Sequence, residues 1–285
     1  MSSVRELTTS QCSYRTEGSQ ENSTKEEVMR RYALRDDQWE RIKDMLPGQE
    51  GWVGGNAKDN RLFVEALLYR YRAGIPWRDL PERFGDFRSV HKRHSRWSES
   101  GVWERVFKTL SEDADNEYAA LDEHDCTRSS TQCWCKKKHQ TINLKHKQLD
   151  AVRVVYLPKF MPPVMHASNP TGFHLTPGQA HDLQGADALL DGIHEIGALL
   201  ADKAYDATER VLKRLKEADC QAVIPPKVNR TQQRTYDLHM YKWRHLIENF
   251  FQKLKQYRAI ATRYDKTARN FLGAIHLAAS VIWLN

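Results

Sequence analysis

Cysteine is scarce, five in 285 residues, and its spacing follows no paired pattern. That argues against a disulfide-stapled scaffold and points to a reducing compartment, the cytoplasm. Long hydrophobic runs are missing too. The first 28 residues are polar, so no secretory leader is expected. The longest apolar segment, Phe271 to Leu284, is too short to span a bilayer and is predicted to be a buried helix, with no membrane partner. Residues 1–28, dominated by Ser, Thr, Gln and Glu, lack the apolar content for a core and read as a disordered extension. Acid falls short of base, 37 Asp and Glu against 44 Lys and Arg, and the net charge of +7 favours a polyanionic partner.

From Met29, a candidate ancestral start, the texture turns helical. Asp36 or Asp37 can cap a helix that stops at Pro47-Gly48. Leu62, Val64, Ala66, Leu67, Leu68 and Tyr71 mark a strong helix ended by Gly74 and Pro76. The segment WRDLPERFGDFRSVHKRHSRW, residues 77–97, reads as a short helix, a turn at Gly85 and a second helix, the cadence of a helix-turn-helix. Arg88, Lys92, Arg93, His94 and Arg96 on the second helix could face a DNA major groove, or form a solvated basic surface. Residues 29–112 are therefore expected to form an all-helical region.

From Tyr118 the rhythm becomes α/β. Tyr118-Ala-Ala-Leu-Asp122 and Ala198-Leu-Leu-Ala-Asp202 are short candidate strands ending in acids, where open sheets place ligands. Phe173-His-Leu-Thr and Ala222-Val-Ile are further candidate strands, and helices are predicted at about 207–218, 240–257 and 267–283. On a continuous helix, at about 100° per residue, Tyr241, Arg244, Glu248 and Lys255 share one stripe. Ile247, Phe250, Phe251 and Leu254 lie opposite. A solvated polar face with an Arg–Glu pair would look the same.

Tyr241-x2-Arg244-x3-Glu248-x6-Lys255 matches the Y-x2-R-x3-E-x6-K signature of bacterial insertion-sequence transposases with a DDE triad. The wider text resembles the insertion sequence five family, through DNRLFVEALLYR (59–70), PWRDLPERFG (76–85), LTPGQAHDL (175–183), ADKAYDA (201–207), VIPPK (223–227) and residues 241–271. The resemblance implies a ribonuclease-H-like catalytic domain, residues 113–285, behind the helix-turn-helix-like DNA-binding region. It matches the catalytic and metal-binding acids to Asp122, Asp202 and Glu248. Three carboxylates can hold two Mg²⁺ ions, with Mn²⁺ as a substitute, about 4 Å apart. Tyr241, Arg244 and Lys255 are then candidate phosphate contacts, beside Arg88, Lys92, Arg93 and Arg96. The implied partner is double-stranded DNA, bound by a homo-oligomer in the cytoplasm at the nucleoid. His181 and Asp206 lie near the motifs without an assigned role.

Residues 123–168 break this texture. Cys126, Cys133, Cys135 and His139 could form a zinc site, although Cys-x-Cys is poor spacing for one. Lys136, Lys137, Lys138 and Lys145 could form a basic DNA-contacting loop. A third reading covers more of the stretch. Codons permitted for residues 123–135, read one base later, can encode Ser-Thr-Ile-Val-Arg-Ala-His-Gln-His-Ser-Ala-Gly-Ala, which resembles the family's continuation after its first Asp. On this reading the stretch is frame-displaced, the central strands are disrupted, and Pro162-Pro163 cannot supply ladder donors. Activity would then be weak or lost. Two alternatives remain beside the transposase: a non-catalytic DNA-binding remnant and a ribonuclease-H-like nuclease.

Overall fold

The computed structural model describes residues 32–49, 59–112, 118–127, 151–160, 169–177, 183, 187, 190, 196–230 and 233–285. The disorder expected for residues 1–28, the candidates Cys133, Cys135, His139, Lys136, Lys137, Lys138 and Lys145, the Pro162-Pro163 pair and His181 all lie outside the described residues.

A short helix α1 (Asp36–Ile42) leads to α2 (Asn60–Ala73). Asp59 caps α2 by accepting from the Leu62 amide at 2.8 Å, and Gly74 ends it at φ +68°, a conformation open to glycine. Phe63, Val64, Leu67, Leu68 and Tyr71 are buried at helical spacing. The expected first helix of a helix-turn-helix is instead two 3₁₀ turns, Trp77–Asp79 and Glu82–Phe84, preceded by Pro76 and Pro81. The fixed φ and missing amide of each proline favour a tight start over a longer helix. Helices α3 (Phe87–Glu99) and α4 (Val102–Glu112) follow.

The sheet is built from β1 (Tyr118–Thr127), β2 (Ala151–Phe160), β3 (Asn169–Pro177), β4 (Ala198–Ala201) and β5 (Gln221–Val223), in the order β3-β2-β1-β4-β5. The first three strands form an antiparallel meander; β4 and β5 run parallel to β1. The expectation of disrupted central strands is corrected. β2 pairs with β1 from Thr127↔Ala151 to Tyr118↔Phe160. The physical reason lies in Val152, Val154, Val155 and Tyr156, β-branched and aromatic residues that suit a strand whatever their coding history. The irregularity centres on Pro158: the β1–β2 ladder has no pairs between Ala119↔Lys159 and Asp122↔Tyr156, and in the β2–β3 ladder Pro158 faces Pro170 across a register shift, where neither can donate an amide.

Beyond β4 come α5 (Lys213–Glu217), continuous with a π-helical turn Thr208–Leu212, then α6 (Leu238–Lys242), α7 (His245–Lys255), α8 (Arg258–Ala261) and α9 (Ala268–Trp283). α9 is buried almost all round, as its sequence requires, and packs on α3, α4 and β3. No helix among the described residues is long and apolar enough to cross a membrane. α2 packs on α8. One apolar cluster therefore runs from Leu34 to Leu284, across the expected boundary at residue 112.

Gly273 lets α9 approach α3 and α4 closely. A Cβ there would lie 2.4 Å from Ser98 Oγ and 3.1 Å from Trp103 Cδ1. Gly273→Val is expected to lower unfolding free energy by about 1–3 kcal/mol through overpacking, read as a lower urea midpoint at unchanged slope.

Two buried histidines make stability pH-dependent. His94 lies 2.9 Å from Tyr71 Oη through Nε2, and burial brings its pKa down to about 4. Asp265 favours its charged form, while Arg70 and His91 oppose it. His276, packed on Phe107 and Phe173, is also brought down to about 4 by burial, against the pull of Glu104 and with that of Lys108. The unfolded chain binds these protons near pH 6.5, so the contribution is complete above that pH and is lost as pH falls toward 4. Urea titrations between pH 7 and 4.5 are expected to show a slope approaching ~2.7 kcal/mol per pH unit for two protons, roughly halved in His276→Gln.

Candidate active site

β4 is buried at all four residues, Ala198-Leu-Leu-Ala201, and is followed directly by Asp202. The Asp202 side chain is half-buried and caps the 3₁₀ turn Lys203–Tyr205, accepting from the Ala204 amide at 2.6 Å. The parallel register with β1 runs from Tyr118↔Ala198 to Leu121↔Ala201. Asp122 and Asp202 are the residues that immediately follow the last pair of that register. The Asp122 side chain lies outside the described residues.

Glu248 stands in the first turn of α7, where the helix dipole favours an acid. α7 buries Phe250, Phe251 and Leu254 and packs against β1. Glu248 is exposed and has no hydrogen-bond partner among the described residues. Thus two expected acids each follow the last pair of the β1–β4 register, and the third acid rides on a helix docked to β1. Among the described residues no three acidic, imidazole or thiol side chains form a metal cluster.

The predicted single helix over 240–257 is corrected. α6 ends at Lys242, and the amides of Trp243 and Arg244 bond three residues back, to Met240 at 2.9 Å and Tyr241 at 3.1 Å. This tightening changes the angular step, so the four-residue stripe is not continuous. Arg244 Nη1 nevertheless donates to Tyr241 Oη at 3.4 Å. Lys255 is exposed in the last turn of α7.

On α3, Arg88, Lys92 and Arg96 recur every four residues and are all exposed. Arg93 does other work: its guanidinium lies 4.2 Å from the Phe63 ring and 4.6 Å from that of Trp97, and it donates to Asn60. Partial burial lowers its pKa. His94, one of the basic residues expected on this helix face, is fully buried instead.

Asp206 has no role assignable from the motifs alone; the structure makes it a hub. Its buried carboxylate accepts from the Lys227 amide at 2.8 Å, from Arg230 Nε and from Arg234 Nη2 at 2.9 Å. Burial by itself would raise its pKa, but these donors outweigh burial and lower it. The available signal was an acid four residues after Asp202, and two arginines four apart beyond Pro225-Pro226.

A family model described as "Putative transposase of IS4/5 family" matches residues 34–107, and one described as "Transposase DDE domain" matches residues 164–283. Asp202 and Glu248 fall within the second match, and Asp122 falls between the two. A Brucella ovis protein, "Putative transposase for insertion sequence element IS6501", is 44% identical over 111 residues, covering 38% of this chain and 84% of its own. An uncharacterised protein of Sinorhizobium fredii, y4sN, is 48% identical over 89 residues, 31% of this chain and 71% of its own. Among solved structures, a pre-cleavage Mos1 transpososome is 10% identical over 86% of this chain and 84% of its own; the TM-score of 0.27 is too low to define the fold.

Proposed function

We propose that this chain, which belongs to the IS4/5-type DDE transposases, binds the terminal inverted repeats of an insertion sequence, cuts their ends and joins them to target DNA. The observation that supports this reading is the parallel register of β1 and β4, whose last pair, Leu121↔Ala201, immediately precedes Asp122 and Asp202 in sequence. The order β3-β2-β1-β4-β5, with a meander followed by two strands parallel to β1, supports a ribonuclease-H-like core.

Asp122, Asp202 and Glu248 would hold two Mg²⁺ ions, with Mn²⁺ as a substitute. The donor set fits: carboxylate oxygens suit hard cations, and Glu248 has no competing partner among the described residues. When bound, such ions activate a water or 3′-hydroxyl and stabilise the oxygen leaving phosphorus. Asp202 and Glu248 would offer their carboxylate oxygens to the cations, since the scissile phosphate is itself anionic and repels them. Arg244 and Lys255 would neutralise neighbouring phosphates by charge-assisted bonds, with Tyr241 fixing Arg244. The chain would act on double-stranded DNA as a homo-oligomer in the cytoplasm, at the nucleoid.

End-labelled terminal DNA with Mg²⁺ tests this. The full chain is expected to cleave and Glu248→Ala is not; equal behaviour would overturn the enzymatic reading. A strand-transfer assay separates a transposase from a nuclease that only cuts. DNA docking is expected on α3, with Arg93 as its support. Arg88→Ala/Lys92→Ala/Arg96→Ala should reduce the slope of log affinity against log salt by up to ~2.7, about 0.9 per lost phosphate contact. An unchanged slope would place the DNA elsewhere.

One observation favours a decayed copy that still binds DNA: the two family matches leave residues 108–163 uncovered. We attribute this gap to a displaced reading frame within 123–168. The gene's codons decide it, since the other frames must spell the family text. Restoring that text should then raise end cleavage.

A further inference from the structure

Asp202 and Asp206 bracket a single tight turn. The Asp206 amide donates to the Lys203 carbonyl at 3.3 Å, which closes the turn. The carboxylate of Asp206 is wholly buried and is committed to Lys227, Arg230 and Arg234. Arg230 also donates to Thr208 Oγ1 at 3.0 Å, and Arg234 reaches the Ile224 carbonyl at 3.4 Å. All three partners of Asp206 belong to residues 224–237, a connection without helix or strand among its described residues. That connection runs directly into α6 and α7, the arm that carries Tyr241, Arg244 and Glu248.

We propose that Asp206 is a positioning residue for the acidic site: by clamping Lys227, Arg230 and Arg234 to the turn that bears Asp202, it fixes where Glu248 stands relative to Asp202. This rests on the metal-binding reading above. A connection of this length has many conformations unless it is anchored, and each adds freedom to the arm beyond it. One buried carboxylate removes most of that freedom, because it binds a main-chain amide and two side chains of the same segment. Shared metal ligation is sensitive to that freedom, since an error of about 1 Å in such a site can cost ~10²-fold in rate.

The test uses the full chain and Asp206→Asn, which keeps the shape but removes the charge and an acceptor. Trypsin cutting after Lys227, Arg230 and Arg234, located by mass, is expected to speed up about tenfold. The apparent Mn²⁺ dissociation constant, read from the spin-resonance signal of free Mn²⁺, should rise about fivefold. Terminal-DNA binding through α3 should persist without divalent ions, which shows that the variant is folded. Asp202→Asn should weaken Mn²⁺ binding without exposing the loop, which separates ligation from positioning. If Asp206→Asn fails to fold, Arg230→Gln removes one donor and is read the same way.

A loop no more accessible than in wild type would overturn the proposal. So would an opened loop with unchanged Mn²⁺ affinity, which is what a purely structural ion pair gives. If Asp202→Asn and Glu248→Gln leave Mn²⁺ binding intact, the metal reading itself fails and the positioning role falls with it.

Discussion

Asp202→Asn and Glu248→Gln are each expected to reduce Mg²⁺-dependent end cleavage by at least ~10³-fold, roughly 4 kcal/mol of transition-state stabilisation, while terminal-DNA affinity stays within about twofold. Both replacements keep size and shape, delete the charge and exchange one acceptor oxygen for an amide donor. Asp202 would retain an oxygen to accept from the Ala204 amide, so its turn should persist. Glu248 is exposed, so its replacement disturbs no packing. A loss of cleavage would therefore report lost ligation rather than lost fold. Asp202→Cys sharpens the point. A thiolate is a poor ligand for Mg²⁺ and suits softer ions better, so this variant should be inert with Mg²⁺ and partly restored by Mn²⁺. An Asp202 that merely caps its turn would give no such metal dependence. Near-wild-type cleavage by Glu248→Gln would remove the third acid from the mechanism.

Much of the fold around the candidate site was legible because its signals are local. The run Ala198-Leu-Leu-Ala201 followed by an acid announces a buried strand and its end, and the structure buries all four residues. The period of α2 and the nearly all-apolar α9 were equally plain. What escaped is what depends on distant partners or on small dihedral changes. No periodicity reveals that Trp243 and Arg244 tighten into turns between α6 and α7. A basic residue on an amphipathic helix reads as a DNA contact until its neighbours are known, and only Phe63 and Trp97 show why Arg93 faces inward. Likewise the texture change near residue 112 suggested a domain boundary, whereas α2, α3 and α4 close their core against α8 and α9 from the far end of the chain. In β2 the local propensity of its valines outweighs two facing prolines, which shift the register without dissolving the strand.

That shared core has a polar tie, and breaking it should produce the largest loss of stability. Arg70 in α2 and Asp265 just before α9 form an ion pair at 3.0 Å, with side chains only 1% and 4% exposed. The guanidinium also lies 4.0 Å from the Trp77 ring centroid, and Trp77 in turn meets His91 of α3 edge-on at 4.9 Å. Arg70→Met is expected to cost about 3–5 kcal/mol, because it leaves the Asp265 carboxylate buried without its cation. Asp265→Leu should be comparably damaging for the mirror-image reason. The double variant Arg70→Met/Asp265→Leu should recover most of the loss, since a buried pair barely repays its own desolvation. Urea unfolding of the four proteins closes the cycle, with a coupling of roughly 5 kcal/mol or more as the expected result, given two single losses of that size and a double variant that regains most of them. Additive losses would mean that each residue acts through separate contacts. Terminal-DNA binding adds a second readout. If the tie holds α3 in place through Trp77, Arg70→Met should weaken DNA binding under conditions where the chain is still folded, and the double variant, which lacks the stacked guanidinium, should regain stability without regaining full affinity.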